Sequence, residues 1–150
     1  MPPVRMLVPA VLALSSALAS GQTISVFNDL APLSPRTLSK DELEQLLPGA
    51  RMSRASTRGN TATWINEANG RFTVRSDDRA ISGRGASSKA EGSWRITDDG
   101  RYCVTIEWQH GKDPETWCRF VLATGDGYYA VKTPGVGSEP VHRIGIEKKK

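Results

Sequence analysis

The residues best suited to chemistry are two cysteines and two histidines. Cys103 and Cys118, the two cysteines of the 150-residue chain, flank His110 in the stretch RYCVTIEWQHGKDPETWCRFV, and His142 lies near the C-terminus. Thiolates and imidazoles bind zinc, but these four residues lack the close-spaced ligand pair that zinc sites show. A redox pair would usually have Cys-x-x-Cys spacing. The spacing therefore favours neither a metal centre nor a redox centre.

Catalytic groups are equally scarce in this sequence. Neither histidine has a nearby motif that would make it the base for a serine or cysteine nucleophile. The doublets Asp77-Asp78 and Asp98-Asp99 could serve acid–base chemistry, but the first precedes a loop and the second fits a turn. The small, polar stretch from Arg84 to Ser93 lacks the strand-to-helix setting of a phosphate loop or nucleophile elbow. We therefore expect no catalytic residue, no metal and no cofactor.

The two cysteines do fit a β-hairpin. If Cys103 faces Cys118, then Glu107 faces Pro114, and both pairs belong to the kind that exchanges no backbone hydrogen bonds. The missing N–H of Pro114 is tolerated in such a pair. Cα atoms there lie about 4.5 Å apart, within the range that a disulfide accepts. We therefore predict a Cys103–Cys118 disulfide, which would contribute about 3 kcal/mol in the chain-entropy model.

The N-terminus has the pattern of a signal peptide. Arg5 gives a basic start, Met6 to Leu18 is mostly apolar, and Ala17-Leu18-Ala19 supplies small residues for cleavage. The apolar run is shorter than the roughly 20 residues that cross a bilayer. We predict a signal peptide over residues 1–19, export to a periplasm or to the medium, and no transmembrane segment in the mature chain. A disulfide suits such an oxidising compartment.

The mature chain has the length of one domain. We predict a leader arm over residues 20–37, a single β domain over 38–147 and a basic tail over 148–150. The formal net charge of +4 falls to +3 without Arg5, and the three terminal lysines account for the remainder. The domain is therefore near neutral, and no nucleic acid is expected as a partner. Arginines crowd between Arg51 and Arg84, which indicates a solvated face or, alternatively, a weak basic patch for an anionic surface or glycan.

One helix and about eight strands are predicted. In LSKDELEQLLPG, Ser39 and Glu42 can form a capping box. After Arg51 the pattern has period two, and Asn69-Gly70, Asp99-Gly100 and Asp126-Gly127 each suit a two-residue hairpin turn. These patterns predict a mainly β fold, an antiparallel meander of about eight strands that forms a small barrel or curved sheet, with one short N-terminal helix.

The predicted turns assign residues to the two faces of the sheet. The predicted core face carries Ile65, Phe72, Val74, Trp94, Ile96, Cys103, Cys118, Phe120, Leu122, Tyr129 and Val131. Aromatic residues and arginine anchor many interfaces. On the opposite face we therefore predict a binding surface made of Trp64, Arg75, Tyr102, Trp117, Arg119 and Tyr128. Two alternatives stay open: the helix or leader arm covers this face, and Trp64 with Arg75 is a structural cation–π pair.

The stretch EGSWRITDDGRYC, followed by WCRFVLATGDGYYAV, resembles small exported bacterial proteins of the domain of unknown function 995 family. The shared features are a Gly-x-Trp strand, an Asp-Gly turn, two cysteines and a glycine-rich turn before a tyrosine-containing strand. LSKDELEQLLPG resembles the helix that opens such domains. The resemblance covers roughly Leu38 to Lys132 and implies a small β-barrel with no known activity. Gly92-Ser93-Trp94 also resembles the triplet of lipocalins, which lies on their first strand.

Three functional hypotheses follow. The first is an exported binding or accessory protein without catalytic activity that contacts an unknown protein or cell-envelope partner through the predicted binding surface. The second is a lipocalin-like carrier of a small apolar ligand inside the barrel, and the third is a small exported hydrolase. Inward-pointing Trp94, Phe120 and Tyr129 would fill a small barrel, which favours the first hypothesis.

Overall fold

The computed structural model describes residues 23–56, 59–77, 87–108 and 113–148. The predicted signal peptide, residues 1–19, lies outside these ranges. The described chain is mainly β, and each strand of the meander pairs antiparallel with the next. The eight strands are β2 (Ala50–Ala55), β3 (Thr61–Ile65), β4 (Arg71–Asp77), β5 (Ser87–Ile96), β6 (Tyr102–Trp108), β7 (Glu115–Thr124), β8 (Gly127–Val131) and β9 (Val141–Lys148).

The meander closes into a barrel because β9 pairs with both β8 and β2. The sequence predicted a meander of about eight strands in the form of a small barrel or a curved sheet, and the structure shows the barrel. A ninth strand, β1 (Arg36–Thr37), was not predicted, and it pairs with the second half of β7. β6 pairs only with the first half of β7, so β1 takes over the backbone groups that β6 leaves. The amide of Leu38 continues this pairing with a 2.8 Å hydrogen bond to the Val121 carbonyl.

Helix α1 (Lys40–Leu46) lies across one end of the barrel. Ser39 accepts a hydrogen bond from the Glu42 amide, and the Glu42 carboxylate accepts one from the Ser39 amide, which completes a capping box. Leu43 on α1 and Leu47 just after it are fully buried in the barrel core. We call this end the closed end. Strand β3 ends there, and the turn between β5 and β6 lies there. We call the opposite end, where β2 finishes and β7 begins, the open end, because no helix of the described ranges lies across it.

The first hairpin turn differs from its prediction by one residue. The Glu67 amide donates to the Arg71 carbonyl and the Gly70 amide donates to the Glu67 carbonyl, each at 3.0 Å. Gly70 has a φ of +82°, whereas Asn69 does not have a positive φ. The loop is therefore a type I turn with a glycine bulge, three residues long, and not the two-residue turn that requires positive φ twice.

The turn between β5 and β6 repeats this geometry. The Thr97 amide donates to the Arg101 carbonyl, and Gly100, also at +82°, donates to the Thr97 carbonyl. Ile96 consequently pairs with Tyr102 and not with Cys103. A shift of one residue moves every side chain of a strand to the other face relative to its neighbour. The predicted faces are therefore wrong at both hairpins.

The turn between β7 and β8 lies at Gly125-Asp126, because Thr124 pairs with Gly127. Leu122 consequently pairs with Tyr129 and not with Val131. This shift is even, so it leaves the faces of β7 and β8 in the predicted relation to each other.

The barrel interior is filled by residues that were assigned to both predicted faces. Trp64 and Tyr102, predicted on the outside, are buried inside, while Ile65, predicted in the core, is 42 % exposed. Gly92 leaves room for the Phe72 ring, with which any Cβ at this position would collide. The buried interior consists of Leu38, Leu43, Leu47, Ala50, Met52, Ala62, Trp64, Phe72, Val74, Ala90, Tyr102, Val104, Ile106, Val121, Ala130 and Ile144.

A second, smaller core lies on the outside of the barrel. The 3₁₀ helix Phe27–Leu33 packs there against β7, β8 and β9, with Leu30 fully buried. Phe120 and Tyr129, predicted to fill the barrel interior, belong to this outer core. Both faces of β7 are therefore covered, which explains why its inward and outward positions are equally apolar.

Candidate functional site

The closed end contains a buried polar network. The Trp64 indole N–H donates to Asn66 Oδ1 and to the Tyr102 hydroxyl, each at 3.1 Å, and that hydroxyl donates to Asn66 Oδ1 at 2.8 Å. Asn66 and Tyr102 have no exposed surface. Burial raises the pKa of the Tyr102 phenol well above its ordinary value, although the hydrogen bonds with Trp64 and Asn66 oppose this shift. The identified hydrogen bonds of the network are all internal, while the Asn66 Nδ2 group is buried without a partner in the described ranges, so the geometry indicates a structural role.

The open end holds a cavity of about 540 Å³. Such a volume is within the range that binds drug-sized ligands, roughly 300 to 1,000 Å³. Its walls come from β2, β7, β8 and β9, whose alternate side chains point into the barrel. The lining side chains that matter for its chemistry are Arg54, Glu115, Trp117, Arg119, His142 and Ile144.

An ion pair crosses the mouth of this cavity. The Arg54 guanidinium pairs with the Glu115 carboxylate, and both side chains are about one third exposed, at 31 % and 34 %. Glu115 also accepts a 3.0 Å hydrogen bond from the Trp108 indole. The Arg54 guanidinium carbon lies 5.6 Å from the centre of the Trp117 ring, within the range of a cation–π contact. Both charges of the pair are therefore engaged within the protein.

Two side chains of the cavity lining, Arg119 and Trp117, have hydrogen-bond donors or charge without a partner in the described ranges. Arg119 Nη1 donates to the Cys118 carbonyl at 2.8 Å, but no carboxylate of the described residues pairs with this guanidinium. The Trp117 indole N–H is buried and has no acceptor within the described ranges. Leaving a buried donor unsatisfied costs about 1 to 3 kcal/mol. A ligand that carries acceptor atoms could accept hydrogen bonds from donors of this kind.

The six residues of the predicted binding surface are not brought together. Trp117 and Arg119 line the cavity, and Trp64 and Tyr102 belong to the closed-end network. The remaining two lie in separate shallow grooves, Arg75 on the outer face of β3 and β4 and Tyr128 beside α1. The assignment of these residues to one outer face is therefore wrong, because the two hairpin bulges shift the register.

Sequence reasoning missed Arg54 and Glu115. They lie 61 residues apart in the chain and meet only because the barrel closes between β9 and β2. His142 was considered as a possible metal ligand or catalytic base, and it lines the cavity. No local motif could have joined these residues, although correct strand registers would have placed Arg54 on the inner face beside Met52.

The predicted cysteine pairing agrees with the structure. Cys103 pairs with Cys118 in register, and the two sulfur atoms are bonded. Their Cα atoms lie 4.0 Å apart, close to the spacing of a pair without backbone hydrogen bonds. Across the described ranges, no cluster of three or more potential ligands could hold a metal ion. No helix in these ranges is long and apolar enough to cross a membrane.

The architecture defines a small, closed antiparallel β-barrel with a helix across one end and a cavity at the other. The family model described as "Protein of unknown function (DUF995)" matches residues 11–135. The chain therefore belongs to the domain of unknown function 995 family, as its cysteine and Gly-x-Trp motifs indicated. Comparison with curated proteins and with solved structures finds no match.

Proposed function

We propose that this protein is an exported, non-catalytic carrier that holds a small ligand in the open-end cavity. The observation that carries the proposal is the difference between the two ends: α1 and its leucines close one, while the other keeps a cavity of about 540 Å³. Trp117 and Ile144 offer apolar surface there, and charged groups stand beside them. This mixture is typical of ligand sites, which are mostly apolar with a few placed polar groups.

Export is part of the proposal and rests on two observations. The first 19 residues have the order of a signal peptide, a basic start followed by an apolar run and small residues. The bonded cysteine pair suits an oxidising compartment. Cleavage after Ala19 would leave Ser20 as the first residue of the mature chain.

Trp117 and Arg119 have a different role in this proposal from the one predicted from the sequence. Trp117 and Arg119 were expected to contact a protein or envelope partner from an outer surface, but they line an inward-facing cavity. Arg75 keeps an exposed position, yet it is remote from this cavity and lies in a shallower groove of about 340 Å³. A ligand small enough to enter the barrel therefore fits Trp117 and Arg119 better than a protein surface does.

The test is native mass spectrometry of the mature protein, recovered from its own compartment without reduction. We expect a chain that begins at Ser20, contains the disulfide and carries a small non-covalent adduct. The Trp117→Ala variant should lose the adduct because it removes the aromatic wall of the cavity. Trp94→Ala makes the same truncation at the closed end and should retain it.

Two outcomes would contradict the carrier proposal. One is a mature protein that has no adduct and instead associates with another protein through a surface that Trp117→Ala does not affect. The other is equal loss of the adduct in both tryptophan variants at matched folded fraction, because the ligand would then depend on general stability and not on the cavity.

A further inference from the structure

We infer that the ligand of the open-end cavity is an organic anion with a single acid group on an apolar body. This inference rests on the proposed function and adds the chemical class of the ligand. It follows from the charged side chains that line the cavity, because their charges do not sum to zero.

The first step is the charge balance of the lining. Arg54 is neutralised by Glu115. Arg143 also borders the cavity, but its guanidinium pairs with Asp126 at 3.0 Å. Arg119 is left as the cation of the lining without a carboxylate partner in the described ranges. Arg119 therefore gives the lining one positive charge with which a negatively charged ligand could pair.

The second step is the hydrogen-bonding capacity of β7. Arginine has five N–H donors, and Arg119 uses one identified bond to a backbone carbonyl, which leaves a fork that matches a carboxylate. Trp117, two residues earlier on the same inner face, adds a buried N–H without an acceptor. Arg119 can therefore donate to the acceptor oxygen atoms of a ligand, which a purely apolar ligand does not offer.

The third step is the apolar surface around these donors. Ala130 and Ile144 line the cavity from β8 and β9, which lie between β7 and β2 in the barrel, and Ile144 is the register partner of Arg54. An apolar body can lie there while its acid group meets Arg119. A small inorganic anion would leave this surface unused, and a neutral apolar molecule would leave the guanidinium unpaired.

The test compares two probes with ten-carbon chains and different head groups, the anionic decanoate and the neutral decanol, by titration calorimetry on the full mature chain with its disulfide intact. We expect decanoate to bind at least about tenfold more tightly than decanol, since a charge-assisted hydrogen bond typically contributes this much. Arg119→Gln should reduce decanoate affinity to the level of decanol and leave decanol binding unchanged, which also shows that the variant folds.

Two further variants complete the design. Arg119→Lys keeps the charge and should retain part of the preference for decanoate. Arg75→Gln makes the same substitution as Arg119→Gln on the outer face of the barrel and should change neither affinity. Equal binding of both probes, insensitive to Arg119→Gln, would overturn the anion inference while leaving the carrier proposal intact. Failure of both probes to bind would contradict the carrier proposal as well.

Discussion

The two ends of the barrel place similar residues in opposite situations. At the closed end, Trp64, Asn66 and Tyr102 hydrogen-bond to one another inside a core sealed by the leucines of α1, and Asn66 Nδ2 is left without a partner among the described residues. At the open end, Arg119 lines the cavity with no carboxylate partner among the described residues, and the buried Trp117 indole N–H has no acceptor there. Tryptophan is thus a structural residue at one end and a candidate ligand contact at the other.

This difference indicates that the two ends of the barrel have different roles. Buried polar groups are stabilised by hydrogen bonds made inside the protein, as Trp64 Nε1, Asn66 Oδ1 and the Tyr102 hydroxyl are at the closed end. Groups that bind a ligand keep unmet capacity, which costs stability. We therefore expect substitutions at the closed end to affect folding and substitutions at the open end to affect binding.

The largest effect is expected from Leu43→Ala. Leu43 is fully buried where α1 covers the barrel, so its truncation leaves a cavity and should reduce the free energy of unfolding by about 3 kcal/mol. Leu46→Ala makes the same change in the same helix at a partly buried position and should cost less than half as much. Urea unfolding measures both, and equal losses would show that α1 does not seal the core.

Asn66→Ala should have the next largest effect. It removes the acceptor of the Tyr102 hydroxyl within a buried network, so we expect a loss of about 2 kcal/mol in the free energy of unfolding. Asn69→Ala removes an exposed acceptor that serves the Arg71 amide and should cost clearly less. Ligand binding at the open end should survive Asn66→Ala, and its loss would break the proposed separation of the two ends.

Tyr102 should also make the closed end sensitive to alkali. The pKa of the Tyr102 phenol is higher in the folded state than in the unfolded chain, where it is about 10. Between these two pKa values the unfolded chain has released the phenol proton and the folded chain still keeps it. Stability is fully present below pH 10 and should fall by about 1.4 kcal/mol per pH unit above it from this group. Urea unfolding at several pH values measures this slope.

The matched variants are Tyr102→Phe and Tyr128→Phe. Tyr102→Phe should remove this contribution to the alkaline slope, whereas Tyr128→Phe, the same change at a half-buried tyrosine, should leave it in place. An unchanged slope in Tyr102→Phe would mean that the phenol titrates without unfolding, contrary to its burial.

The barrel itself could be predicted from the sequence because period-two patterns and turn glycines are local properties. The Cys103–Cys118 register was also predictable, since a disulfide and Pro114 constrain the same hairpin independently. The hairpin registers at Asn69-Gly70 and Asp99-Gly100 were not, because these dipeptides suit a two-residue turn and a three-residue bulged turn equally well. The β7–β8 register also differed from its prediction, by an even shift that kept the faces. A difference of one residue in the register decides which face of a strand points into the barrel.

The candidate site was less predictable than the fold. Trp117 and Arg119 were selected for their residue types, which is correct for a contact site, but their surroundings depend on long-range closure. Arg54 meets Glu115 only through the β2–β9 pairing, and the outer core hides Phe120 and Tyr129 beneath a segment with no clear period. These are tertiary relations, and no local pattern in the chain encodes them.

The smallest effect is expected at the open end, from the Arg54–Glu115 pair. Both side chains are about one third exposed, so solvent screens their attraction. A double-mutant cycle with Arg54→Gln and Glu115→Gln should give a coupling below about 1 kcal/mol in the free energy of unfolding, and added salt should reduce it further. A coupling above about 2 kcal/mol would mean that the open end is held together as firmly as the closed end. The pair would then act as part of a second core, and the contrast between a stabilised end and a binding end would fail.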